Sequence, residues 1–263
     1  MDVELVLAPS DAAGRLTGEA TRDVLARLGD RACAVVAAAG STNLGLVDDL
    51  DGVGRASQEA VVWFHVDAAY GGAALAAPSV RNQFTGIERC DSFVVDPHKW
   101  LFAPFDCCAL SYREPNLGRA APTQHAGYLE VLTSRDEWNP SDYAAHLTRR
   151  ARGLPFWFSL ACHGVGAYRR AVETTLATAR RAAELIELSP HTELVSEPSL
   201  SVVVFRRLGW NRADYYRWSE TALADRMAFV VPTIHDAETV LRFCFVNPRT
   251  TADDVALILS SMA

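Results

Sequence analysis

Two short stretches carry the groups in this chain best suited to chemistry: His65-Val66-Asp67, and Asp96-Pro97-His98-Lys99 within VVDPHKW. Alternation along an extended strand puts His65 and Asp67 on one face, within reach of each other. Taken singly, an aspartate after a strand commonly caps a turn, and a lysine beside a tryptophan commonly snorkels to solvent. Taken together the two stretches ask for more. A carboxylate and an amine at neighbouring strand ends, beside the small residues Ala68, Ala69, Gly71 and Gly72, form a pocket floor that suits a flat ligand. A lysine there can form a Schiff base with a carbonyl compound, and a carboxylate can pair with a protonated ring nitrogen.

Strand ends need a sheet to hold them. Thr17 to Leu28 has helical spacing, and the apolar run ACAVVAAAG behind it ends at Gly40 as a buried strand would. The cycle repeats with a helix over Asp48 to Ala60, the strand VVWFHVDAA, and the strand SFVVDP, which stops at a proline that cannot continue a ladder. CCALSYR reads as a further strand. This alternation predicts a mostly parallel, doubly wound α/β sheet covered on both faces, with ligands beyond the carboxyl ends of its strands. Glu114 to Pro140, rich in Pro, Gly, Asn and Thr, reads as a long loop of the kind that serves function. A helix over Leu154 to Leu188, broken at Gly164 to Gly166, leads into a smaller α+β unit made of LSVVVFRR, a helix over Asp214 to Arg226, AFVVPTI and TVLRFCFV.

Composition narrows the function classes. The chain has 263 residues, 49% hydrophobic and 22% charged, which is the profile of a globular protein with a large core. A net charge of −7 argues against a nucleic-acid binder, which needs clustered Lys and Arg. No apolar run is long enough to cross a bilayer and MDVELVLAPSD lacks a basic secretory start, so a cytoplasmic location is expected. Six scattered cysteines without a C-x-x-C pair indicate neither zinc nor a disulfide framework, and read as mostly buried small apolar residues.

HVDAAYGG, DSFVVDPHKWL, FDC and the later GYLEVL resemble the group II pyridoxal phosphate (PLP)-dependent amino acid decarboxylases, the branch with the aromatic-L-amino-acid decarboxylases. The resemblance implies a fold type I PLP-enzyme architecture: part of the large, cofactor-binding domain over residues 1–154 and the C-terminal small domain over 155–263. It implies that Lys99 holds PLP as a Schiff base, Asp67 pairs with the pyridine nitrogen, and Ala69 packs against the ring. Thr42, in GSTN, and Asp96 match positions near the cofactor, although a carboxylate at 96 repels phosphate unless its backbone makes the contact. His98, beside the lysine, is a further candidate catalytic residue, and Tyr128 matches a loop tyrosine that protonates Cα after CO₂ departs. The expected reaction is decarboxylation of an aromatic L-amino acid to its amine. Family members are much longer, and the resemblance covers their C-terminal portion. The expected partners are therefore a second copy, since the family's site lies at a dimer interface, or a chain supplying the missing N-terminal half.

Rival readings follow from the same residues. His65, Asp67 and a distal histidine such as His235 could form a two-histidine, one-carboxylate iron site, but that leaves Lys99 without a role. Another fold type I PLP enzyme, a lyase or an aminotransferase, would keep Lys99 and Asp67 without the loop tyrosine; an inactive fragment would only pack against a partner. Arg149, Arg150 and Arg152 read as a solvated or inter-subunit basic patch, Phe156, Trp157 and Phe158 as core or interface aromatics, and Arg242 as the partner of a buried carboxylate. His125 shares its loop with Tyr128.

Overall fold

The computed structural model describes residues 3–120, 139–144, 146 and 148–263. Helix α1 (Gly18–Leu28) starts where the Thr17 side chain accepts a hydrogen bond from the Ala20 amide. Three apolar runs form β1 (Ala34–Ala38), β2 (Trp63–Asp67) and β3 (Ser92–Val95), which pair in parallel, with α2 (Leu50–Glu59) between the first two. After β3 the chain holds only the one-turn helix α3 (Pro97–Trp100), too little for a covering crossover, and β4 (Ala109–Tyr112) returns antiparallel. The sheet order is β1-β2-β3-β4.

Among the described residues only one face of this sheet is covered, where the sequence pattern led to an expectation of two. Ala37, Phe64 and Val66 are buried with Leu50 and Val53 of α2 and with Phe84 and Trp100. On the opposite face Val36 is 59% exposed, and Ala34 and Asp67 are exposed. Alternation along β1 and β2 produces both sides, but among the described residues no element packs over the second.

The loop expected from Glu114 begins instead with α4 (Pro115–Ala120). Helix α5 (Gly153–Leu188) kinks at Gly164, whose φ of 72° lies outside the helical region, as the glycines there suggest. It serves two cores: Val172 and Leu176 belong with the first sheet, and Ala179, Ala182, Ala183 and Ile186 with the second. That second sheet is antiparallel, with β5 (Thr192–Leu194), β6 (Val202–Arg207), β7 (Thr233–His235) and β8 (Glu238–Cys244) in the order β5-β6-β8-β7. Capping boxes start both remaining helices: Asn211 with Asp214 for α6 (Arg212–Ala224), and Thr251 with Asp254 for α7 (Ala252–Ser260). Tyr70 ties the two cores together. Its ring stacks on Trp100 at 5.0 Å, and its hydroxyl lies 2.5 Å from Ser201 Oγ and accepts from the Ser201 amide at 3.1 Å.

Candidate active site

The carboxyl ends of β2 and β3 lie side by side because Asp67 stands opposite Val94 in a parallel register. Beyond the strands the chain stays joined: Ala68 N–H donates to Val94 O at 3.1 Å and Asp96 N–H to Ala69 O at 2.9 Å. Asp67 Oδ1 accepts from the Ala69 amide at 3.0 Å, a turn that fixes the carboxylate while leaving it exposed. The glycines behind it are sterically required. A Cβ on Gly71 would stand 2.3 Å from Ala39 O, and one on Gly72 would stand 2.5 Å from Val95 Cγ2.

At the end of β3, Pro97 opens α3 and Lys99 N–H donates to Asp96 O at 2.9 Å. Lys99 is the only lysine in the sequence. Its Nζ lies 2.9 Å from Asp96 Oδ2, with the lysine side chain 44% exposed and the carboxylate 15%. Burial, followed by a hydrogen bond to Asp96 and the charge of that carboxylate, pushes the Cys108 thiol up to about 11, so Cys108 stays protonated at neutral pH. His98 Nδ1 is held by the backbone of Cys107, 3.1 Å from its N and 2.5 Å from its O, and the ring meets Phe105 edge-on at 5.2 Å. Trp100, fully buried, anchors the turn by donating from Nε1 to Thr175 Oγ1 at 2.9 Å. Thr42 is exposed in the turn after β1, and the neighbouring Asn43 side chain donates to Ile234 O at 3.3 Å. Thr42, Asp67, Asp96 and Lys99 thus follow the carboxyl ends of three adjacent parallel strands, with Ala69 in the turn beyond Asp67.

Other expectations change. His65 bonds to Ser92 Oγ at 2.7 Å rather than to Asp67, and Ser92 also accepts from Trp63 Nε1 at 2.9 Å. Burial pushes the His65 imidazole below its ordinary value, with the Asp67 charge opposing, which leaves it neutral at pH 7. His235 sits on β7, 3.3 Å from Asp236. Among the described residues no cluster of three His, Cys, Asp or Glu side chains is placed to hold a metal. Arg150 and Arg152 are not a free patch: both pair with Asp106, Arg152 at 2.9 Å, and its hydrogen bond holds that carboxyl below its ordinary value. The basic run and the aspartate of FDC were visible in the sequence, but nothing there signalled that they meet. Arg242 has no carboxylate partner among the described residues; it contacts Cys244, and its buried Nε is unpaired. Trp157 and Phe158 are each 60% exposed rather than in a core, and Cys33, Cys108 and Cys162 are exposed. Tyr128 and His125 lie outside the described residues.

Comparison with known proteins adds an independent line. The family described as the pyridoxal-dependent decarboxylase conserved domain matches residues 1–208. The chain is 30% identical over 240 residues to the aromatic-L-amino-acid decarboxylase of Bacillus atrophaeus, covering 88% of this chain and 50% of that protein. It is 31% identical over 268 residues to the L-2,4-diaminobutyrate decarboxylase of Rhizobium meliloti, covering 98% and 54%. Its fold matches the crystal structure of mouse CSAD with a TM-score of 0.85 at 25% identity, over 98% of this chain and 57% of that one. The chain therefore spans about half the length of the relatives it matches.

Proposed function

Because the chain belongs to the pyridoxal-dependent decarboxylase family, we propose that it forms the cofactor-bearing part of an enzyme that removes CO₂ from an L-amino acid. One observation carries the reading: the sequence's only lysine follows the end of β3, beside the exposed carboxylate that ends β2. These residues fit pyridoxal phosphate at two of its ends. Lys99 would hold the cofactor's carbonyl carbon covalently, and Asp67 would accept a hydrogen bond from its protonated ring nitrogen. Bound there, the cofactor withdraws electrons from the substrate's Cα, so that the bond to CO₂ can break.

The chain's own residues do the rest. Asp67 keeps the ring nitrogen protonated, and its backbone turn with Ala69 sets its direction. Ala69 leaves room for a flat ring, and Thr42 borders it from the end of β1. Asp96 acts through Lys99: its carboxylate pairs with the amine and its N–H is spent on Ala69, which leaves neither for a phosphate. The amine needs its neutral form to bond to carbon, so a proton must leave the Asp96 pair first. His98, gripped by Cys107, positions the turn that carries Lys99. Tyr128 delivers a proton to Cα after CO₂ has left.

The substrate reading is an aromatic L-amino acid, supported by relatives named as aromatic-L-amino-acid decarboxylases. The reading divides the chain into a partial large domain over residues 1–154 and a small domain over 155–263, supported by the two cores that meet along α5. A cytoplasmic location suits six cysteines that are all free thiols. A dimer suits Leu154, Trp157, Phe158 and Val165, which α5 presents 56–60% exposed. The test is CO₂ release from a panel of amino acids with pyridoxal phosphate present. Release from aromatic substrates, abolished in Lys99→Ala, is expected; a preference for diaminobutyrate or glutamate removes the aromatic claim, and a keto acid in place of the amine removes decarboxylation.

A further inference from the structure

The carboxylate that pairs with Lys99 has a second partner, which the proposed chemistry leaves unused. β3 and β4 run antiparallel, with Ser92 opposite Tyr112 and Val95 opposite Ala109. One step further along the same register Cys108 stands opposite Asp96, at the separation where facing side chains meet. The preceding residue is fixed on α3, since Cys107 N–H donates to His98 Nδ1 at 3.1 Å. The Cys108 thiol hydrogen-bonds to the Asp96 carboxylate. Cys108, Asp96 and Lys99 thus form a chain of three groups, with the amine 2.9 Å from Asp96 Oδ2. Asp96 is the N-cap residue of α3, yet its side chain accepts from no backbone amide there. Among the described residues its carboxylate is served by the amine and the thiol.

Two roles are open to a thiol in this place. A nucleophile or redox sensor needs the thiolate, and burial with the hydrogen bond to Asp96 pushes the Cys108 thiol up to about 11, so that form is scarce at neutral pH. A hydrogen-bond donor needs the proton that these surroundings retain. We propose that Cys108 is a positioning residue for Lys99: its S–H stays on the Asp96 carboxylate when the amine departs, and so eases the amine's release to bond with carbon. The inference rests on the reading of Lys99 as the residue that bonds to a carbonyl compound, and adds the group that sets how readily it does so. While Lys99 is an ammonium, Asp96 has two donors. To react, the amine gives its proton to solvent, adds to the carbonyl carbon and expels water as the carbon–nitrogen double bond forms. The carboxylate, only 15% exposed, then keeps one donor instead of none. A hydrogen bond to a lone carboxylate is stronger than one to a carboxylate already paired with a cation, so the thiol favours the released state.

Because Lys99 is the only lysine, its amine can be followed without any cofactor. The chain is treated with excess glycolaldehyde and cyanoborohydride at neutral pH, and alkylation of Lys99 relative to the N-terminal amine is read by peptide mass spectrometry. Cys108→Ala should lower that ratio about three- to tenfold, because a thiol is a weak donor and only the difference between the paired and the lone carboxylate counts. Cys108→Ser restores a donor and should bring the ratio back to the parent value or above. Beside Asp96→Asn, Cys108→Ala should have no effect, since no carboxylate remains for the thiol to serve, whereas a merely structural loss would persist. Cys108 is exposed, on the side of the edge strand β4, so none of these substitutions opens a core. A parent ratio in Cys108→Ala, failure of Cys108→Ser to restore it, or a loss that persists beside Asp96→Asn would each overturn the proposal. A chain that fails to bind pyridoxal phosphate at Lys99 leaves this inference standing, and an unchanged Cys108→Ala leaves the Lys99 reading standing.

Discussion

Removing a single oxygen atom, in Tyr70→Phe, should loosen the joint between the two cores without disturbing the stack on Trp100. The hydroxyl serves two groups of Ser201, a residue with no solvent exposure: its amide at 3.1 Å and its Oγ at 2.5 Å. Phenylalanine keeps the ring and leaves both groups buried without partners. Each such orphan costs about 1–3 kcal/mol, and two on one residue are not additive, so the expected loss is about 2–4 kcal/mol. Equilibrium urea unfolding followed by tryptophan fluorescence reads this directly. Adding Ser201→Ala removes one orphan, so the double variant should be more stable than Tyr70→Phe by about 1 kcal/mol. Burial pushes the Tyr70 phenol above its ordinary value of 10.0. A raised acid contributes its stability fully below the unfolded value and loses it as pH rises through the folded one, so the deficit should be constant from about pH 6 to 9. A Tyr70→Phe variant within about 0.5 kcal/mol of the parent, or a double variant weaker than the single one, would refute the reasoning.

Further outcomes follow from the same geometry and, for Tyr128, from the family reading alone. Asp106→Asn should cost stability near neutral pH, and the gap in melting temperature from the parent should close as pH falls below the ordinary carboxylate value of 3.8, because the Arg152 bond depresses that carboxyl and protonation removes its contribution. Gly71→Ala should cost about 1–3 kcal/mol in denaturant titration, since its methyl group meets the Ala39 carbonyl and one of the two backbones must move. In a decarboxylating preparation Tyr128→Phe should keep the cofactor's absorbance while amine release falls by about a hundredfold or more; release at the parent rate would point to His98 or His125 as the acid.

Most of the parallel sheet was legible because each strand is a contiguous apolar run bounded by helices or by Pro97, and α1 lies within the helical spacing read from Thr17 to Leu28. The strand ends carrying Asp67 and Lys99 followed from that pattern. Other features needed distances that spacing does not contain. β5 is three residues long and gives no periodicity to read, and α7 went unread although its capping pair, Thr251 and Asp254, stands in the sequence. AFVVPTI yielded a strand only from Thr233, after the proline that removes a ladder donor. The pairing of His65 with Ser92 depends on strand register, and the clasp of Arg150 and Arg152 on Asp106 joins segments far apart in the chain. The open face of β1 was also invisible, because alternation reports which side chains share a face and not whether anything covers it.

The central claim is that Lys99 holds the cofactor, and a chain with one lysine makes the test unusually direct. The protein is incubated with pyridoxal phosphate, reduced with borohydride, digested, and mapped by mass spectrometry. The account predicts a pyridoxyl phosphate adduct on the peptide containing Lys99, absent in Lys99→Ala. An adduct confined to the N-terminal amine, or no adduct at saturating cofactor, would contradict it.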